Sequence, residues 1–117
     1  MIEDKAQELG RLLGQSDEYK ALRRASERLR EDADCQRQLG EVEKLAAEIE
    51  RQAQQGKEPS PEQAQAYERA VQVIQASPVY QQMVAAQANF DKLMAKVNAR
   101  IYEGIQKGAA SPIITLG

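Results

Sequence analysis

The segment that decides the fold is residues 35–53, which read CQRQLGEVEKLAAEIERQA. Apolar residues recur in this segment at alternating four- and three-residue steps: Cys35, Leu39, Val42, Ala46, Ile49 and Ala53. This heptad-like spacing places them on one face of a helix. The segment therefore predicts an amphipathic helix of about 20 residues that packs against other helices.

Residues that cap helix N-termini stand at the other predicted helix starts as well. Ser16, Asp32, Ser60 and Ser77 each precede a run of apolar residues with helical spacing. Ser60 is followed by a proline and, three residues later, by Gln63, which predicts a capping box. These signals divide the chain into helices joined by short connections.

The predicted fold class is all-α. We expect about five helices in an antiparallel multi-helical bundle with a long C-terminal helix, which oligomerises through helix packing. Residues 1–107 are predicted to form a single helical domain, and residues 108–117 an apolar C-terminal tail. The tail is expected to leave the last helix because Pro112 lacks a backbone N–H.

The composition argues against catalytic and metal chemistry. Histidine, the commonest general base and metal ligand near neutral pH, is absent, and Cys35 is the only cysteine. Cys35 lies on the apolar seam and is interpreted as a small buried hydrophobic residue. We therefore expect no enzymatic activity, no catalytic residues, no cofactor and no metal.

Charge and hydropathy bear on the partners and location of the protein. The net charge of −2 gives no overall attraction to nucleic acid or to an anionic membrane. The chain has no apolar run of about 18 residues and no apolar signal segment at its N-terminus. We expect a cytoplasmic protein that does not associate with membranes.

The second predicted helix is locally basic, and two interpretations of this face are open. Its basic residues are Lys20, Arg23, Arg24 and Arg28. An RNA-binding regulator is one interpretation, although no aromatic residues interleave the basic ones. A solvated face is favoured, because Arg23 can reach Glu27, and Arg28 can reach Asp32, at four-residue spacing. A second basic stripe is also interpreted as a solvated face, with contact to a partner protein as its alternative: Lys92, Lys96 and Arg100.

The apolar stripe of the fifth predicted helix is a candidate oligomer interface. It consists of Phe90, Met94, Val97, Ile101 and Ile105. A helix of about 30 residues is roughly 45 Å long, which exceeds what a compact chain with a radius of gyration of about 13 Å covers. We expect the stripe beyond Val97 to be covered by a second copy of the chain.

The apolar end of the chain is a candidate docking segment. Ile113, Ile114 and Leu116 are predicted to enter an apolar groove, either on the same bundle or on a neighbouring subunit. A loose end is the alternative, since terminal segments commonly fray.

Four short motifs occur in an order that resembles the YlbF/YmcA family of small bacterial helical proteins, which includes YheA-type members. They are SDEYKAL at residues 16–22, Asp32 before the long third helix, GKEPS at residues 56–60, and Ser77-Pro78. Family members show a Ser-x-x-Tyr-x-x-Leu start, an Asp-Pro break, a Gly-Lys-x-Pro-Ser/Thr loop and an Asn/Ser-Pro restart. The resemblance covers roughly residues 2 to 107, and it implies a multi-helical fold that dimerises or tetramerises.

The resemblance also implies a function. Family members in Gram-positive bacteria are non-enzymatic accessory factors in competence, sporulation and biofilm regulation, partly through complexes with proteins that direct RNA processing. Two departures stand out: Ala33 replaces a frequent proline, and Cys35 is alone where some relatives carry several cysteines and iron–sulfur clusters. Cluster binding is therefore not carried over.

These observations lead to one functional hypothesis and one alternative. The hypothesis is a non-enzymatic, homo-oligomeric regulatory or adaptor protein whose partners are itself and other regulatory proteins. The alternative is an RNA-binding regulator that uses the basic face of the second helix.

Overall fold

A computed structural model of the chain describes the backbone of residues 1–116 and the side chains of residues 1–110. The described backbone forms five helices: α1 (Ile2–Gly14), α2 (Asp17–Glu31), α3 (Ala33–Gln54), α4 (Pro61–Gln75) and α5 (Pro78–Leu116). No strand occurs within residues 1–116. The all-α prediction is therefore confirmed.

The predicted helix caps are also confirmed. The side chains of Ser16, Asp32 and Ser77 accept a hydrogen bond from the backbone N–H three residues later, at 3.1, 2.9 and 3.4 Å respectively. The Ser60 hydroxyl accepts from the Gln63 N–H at 3.2 Å, and the Gln63 side chain accepts from the Ser60 N–H at 3.1 Å. Each cap satisfies backbone donors that a helix start leaves unpaired, so these residues fix where the helices begin.

Helix α2 lies antiparallel to α5. The Tyr19 and Phe90 rings pack edge to face with centroids 5.6 Å apart. At the other end of α2, the Arg28 guanidinium donates to the Gln82 side-chain oxygen at 3.2 Å. Contacts therefore run forward along α2 and backward along α5.

Helices α3 and α4 form an antiparallel hairpin whose turn contains Gly56. This glycine has a φ of +76°, a conformation that residues with a Cβ rarely adopt. At the open end of the hairpin, the Cys35 Sγ lies 3.4 Å from the Ser77 Oγ. The α2–α3 and α4–α5 connections thus meet at Cys35, which is 1% exposed, as expected for a buried cysteine.

The hydrophobic core of the chain is sparse. Among the residues with described side chains, the buried hydrophobic ones are Ala25, Cys35, Ile74 and Ala86, and three of these four are small. The radius of gyration is 21.8 Å, with extents of 71 × 37 × 20 Å. A compact domain of this length would have a radius of gyration of about 13 Å. The helices therefore form an elongated arrangement with little interior.

Two sequence-based expectations were wrong. The last helix does not end near Lys107, because α5 continues to Leu116; a proline removes one backbone donor, but a helix can continue across it with a kink. Arg28 does not pair with Asp32, because it bonds to Gln82 on α5 while the Asp32 carboxylate caps α3.

Candidate functional site

Helix α1 has an apolar face that the chain itself does not bury. Its sequence alternates apolar and polar residues at helical spacing, yet it has no buried residue. Leu9 and Leu13 are half-buried, whereas Ile2 is 86% and Leu12 57% exposed. An isolated helix of 13 residues is marginal in water, so the stability of α1 depends on packing.

The predicted interface stripe of α5 changes character along its length. Phe90, Met94 and Val97 are half-buried, and Phe90 packs on Tyr19 of the same chain. Farther along, Ile101 is 46% exposed and Ile105 is 58% exposed. The stripe is therefore covered within the chain at its start and uncovered beyond Val97.

Helices α1 and α5 enclose an open groove at this end of the molecule, which we call the distal groove. It has a volume of about 350 Å³ and is lined by Leu9, Lys96, Val97, Arg100 and Ile101. Its walls are aliphatic, and two basic residues stand beside them. Most of the large exposed hydrophobic residues in the described part of the chain lie at this end, on α1 and α5 or, for Met1, directly before α1: Met1, Ile2, Leu12, Ile101, Tyr102 and Ile105.

A second groove, the hairpin groove, lies between α3 and α4. Its volume is about 360 Å³, and its lining residues are Arg37, Gln38, Glu41, Leu45, Ala66, Arg69, Ala70 and Val73. Val73 is 47% exposed on its surface. Arg37 is paired with Asp34 at 3.2 Å on the same helix.

The predicted basic face of α2 is exposed, but it is not uniformly free. Arg23 pairs with Glu27 at 3.4 Å, as expected, and Arg28 donates to Gln82. Lys20 and Arg24 are exposed on the same helix. Partial engagement of these side chains resembles a solvated helix surface more than a phosphate-binding site.

The described residues contain no group of three or more cysteine or acidic side chains placed to hold a metal ion. Within the same residues, no helix is long and apolar enough to cross a membrane. The predicted docking residues Ile113, Ile114 and Leu116 lie outside the described side chains, so their docking stays a prediction.

Sequence reasoning missed α1 as part of the exposed apolar surface. The signal was present, because Ile2, Ala6, Leu9 and Leu13 recur at the spacing of one helix face. Spacing alone, however, does not show which neighbour covers a face. The hairpin groove was missed because its walls come from two helices.

Together, these features define the class of protein: an elongated all-α protein built along one long helix. Residues 2–106 match the family described as control of competence regulator ComK, YlbF/YmcA. The chain belongs to the YlbF/YmcA family, and the resemblance drawn from its motifs is confirmed.

Relatives of similar length support this assignment. The chain is 22% identical over 111 residues to a UPF0342 protein of Alkalihalophilus pseudofirmus, covering 95% of this chain and 94% of that protein. It is 23% identical over 111 residues to a UPF0342 protein of Halalkalibacterium halodurans, covering 95% and 96%. The match therefore extends over nearly the whole of each relative.

Solved structures share the fold. Bacillus subtilis RicA, crystallised in complex with RicF, superposes with a TM-score of 0.82 at 17% identity, covering 92% of this chain and 96% of RicA. A protein of unknown function from Bacillus stearothermophilus gives a TM-score of 0.65 at 17% identity, covering 90% of this chain and 92% of that protein. At these identities the likeness concerns the fold.

Proposed function

We propose that this chain is a non-enzymatic regulatory or adaptor protein that acts by packing its helices against other protein chains, first of all against a second copy of itself. The observation that carries the proposal is the sparse core beside an uncovered apolar surface. Among the described side chains, Ile74 is the only large aliphatic one that is buried, at 4% exposure. A core with so few fully buried residues supports the proposal, because a second chain would add apolar burial that stabilises the fold.

The accessible surface supports the same proposal. The chain exposes 9366 Å² at a mass of 13.0 kDa. A folded monomer of that mass exposes about 6,300 Å², so the excess is about 3,000 Å² per chain. A stable protein–protein interface needs about 800 Å² from each partner. The chain therefore has ample surface for association.

The family and its solved members favour a regulatory role. The description of the family refers to the control of a competence regulator. RicA, which shares the fold, was crystallised with a protein partner, RicF. An adaptor that binds protein through exposed helix faces is consistent with both descriptions.

The RNA-binding alternative has less support. Arg23 and Arg28 already have partners on Glu27 and Gln82. The chain also carries a net charge of −2, which opposes binding to a polyanion.

The experiment that tests the proposal is thermal unfolding followed by circular dichroism at a series of protein concentrations. If a second chain completes the core, the melting temperature rises with concentration, because association stabilises only the folded state. A melting temperature that is high and independent of concentration, together with a monomeric mass, would contradict the proposal.

A second experiment asks whether partners use the proposed surface. The chain is used as bait in its native cell extract beside two variants, Ile101→Asp at the distal groove and Val84→Asp elsewhere on α5. Val84 is 48% exposed and Ile101 46%, so the two substitutions start from matched positions. We expect Ile101→Asp to lose captured regulatory proteins that Val84→Asp retains. Equal capture by both variants would contradict a role for this surface.

A further inference from the structure

The end of the molecule formed by α1 and the last turns of α5 has two properties that a helix packed only within its own chain lacks. Helix α1 has no buried residue. On α5, Ile101, Tyr102 and Ile105 are 46%, 68% and 58% exposed. Two amphipathic helices thus flank the open distal groove, and neither is fully covered within the chain.

The two helices at this end differ in charge. Helix α1 carries three acidic and two basic residues, whereas residues 91–107 of α5 carry four basic and two acidic ones. Lys96 and Arg100 line the distal groove itself. Within the described side chains, the ion pairs at this end are local in sequence: Arg100 pairs with Glu103 at 3.0 Å, and Asp4 pairs with the N-terminal amine at 3.9 Å. The acidic residues of α1 are therefore not paired with the basic residues of the same chain's α5.

A second copy of this chain would supply what the groove lacks. It would bring the apolar side chains and the glutamates of α1 to a basic, apolar α5, and a two-fold axis would make the same contact twice. The area is sufficient, because the chain exposes about 3,000 Å² more than a compact monomer of its mass, while a standard interface takes about 800 Å² from each partner.

Resting on the proposed self-association, we infer that α1 of each copy packs along the distal groove of the other copy. The result is a four-helix arrangement of two α1 and two α5 helices. Glu3 and Glu8 of one chain lie near Lys96 and Arg100 of the other, and Ile2 and Leu12 are buried with Ile101 and Ile105. The partner recognised by this surface is therefore the same chain in a two-fold dimer.

The test is a charge-reversal experiment with two complementary variants. One variant carries Glu3→Lys and Glu8→Lys on α1, and the other carries Lys96→Glu and Arg100→Glu on α5. Each variant alone replaces attraction by repulsion at both copies of the contact. We expect each to raise the dimer dissociation constant about tenfold or more, measured by sedimentation equilibrium.

Mixing the two variants gives the decisive readout. In a mixed dimer, reversed α1 faces reversed α5 at one contact, and wild-type α1 faces wild-type α5 at the other. We expect the mixture to recover a dissociation constant near the wild-type value. A contact between α1 and α5 of the same chain predicts no recovery, because each chain keeps its own mismatch.

The control variant reverses two exposed carboxylates on the outer face of α3, Glu43→Lys and Glu50→Lys. It makes the same change in net charge as the α1 variant, and we expect it to leave the dissociation constant unchanged. Circular dichroism shows whether each variant keeps its helix content.

The outcomes separate this inference from the proposed function. The distal contact is overturned if the wild-type chain dimerises but neither variant changes the dissociation constant, or if mixing the variants does not restore it. Self-association would then take place through another face, such as the hairpin groove. A wild-type chain that is monomeric at micromolar concentration would overturn both, and would leave the distal groove to a different protein.

Discussion

Replacement of Ile101 by alanine tests the distal groove with a magnitude that the structure sets. Ile101 is 46% exposed in the chain. Complete burial of an isoleucine side chain contributes about 1.5–3 kcal/mol, so covering the exposed part contributes roughly 0.7–1.4 kcal/mol per chain. A two-fold interface contains Ile101 twice, so this contribution is lost twice when the side chain is truncated. We therefore expect Ile101→Ala to raise the dimer dissociation constant about tenfold to a hundredfold.

The assay is sedimentation equilibrium from nanomolar to micromolar concentration, with Val84→Ala as the control. Val84 lies on the same helix at 48% exposure, but outside the distal groove. We expect Val84→Ala to change the dissociation constant less than about threefold, the usual range of a surface substitution. The reasoning is refuted if Ile101→Ala leaves the dissociation constant unchanged, or if Val84→Ala raises it as much.

Three further predictions concern the fold and the end of the chain. Ile74→Ala should lower the free energy of unfolding by about 2–5 kcal/mol, measured in urea titrations at fixed protein concentration. The control is the neighbouring Val73→Ala, which should lower it far less because Val73 is 47% exposed. Gly56→Ala should destabilise the fold by about 1 kcal/mol, because Gly56 has a positive φ. Gly40 lies within α3 with open space around the position of an added Cβ, so Gly40→Ala should stabilise the fold by roughly 0.5–1 kcal/mol. Equal shifts of stability in the same direction would contradict this pair of predictions. Truncation after Ala110 should lower the melting temperature or weaken the oligomer if the apolar end docks, and an unchanged melting temperature and mass would show that it does not.

The helix boundaries were predictable because their causes are local. A cap such as Ser60 bonds to a backbone N–H three residues away, and Gln63 completes the box within the same turn. Both partners are therefore visible in a short stretch of sequence. The α3–α4 turn could be predicted from Gly56 for the same reason, since its positive φ is a property of one residue.

Features that depend on distant residues could not be predicted in this way. The sequence placed Arg28 one turn from Asp32, but Gln82, far along the chain, competes for the same guanidinium. The packing of Phe90 on Tyr19 inside the chain could not be predicted either, because the two residues lie far apart in the sequence. Periodicity shows which residues share a face, but the tertiary arrangement decides what lies opposite.

The candidate surface was therefore half predicted. The distal part of α5, with Ile101 and Ile105, follows from helix length and from the small size expected of a compact chain. The contribution of α1 could not be predicted from the sequence, because a short amphipathic helix usually packs on its own domain. Only the exposure of Ile2 and Leu12 in the folded chain shows that α1 is left uncovered.

The central claim, that the chain is completed by a second copy, is tested most directly by its mass in solution. Light scattering behind size-exclusion chromatography at micromolar concentration measures that mass without reference to the elongated shape. We expect at least twice the chain mass of 13.0 kDa. A single stable species at the mass of one chain, with full helix content, would contradict it.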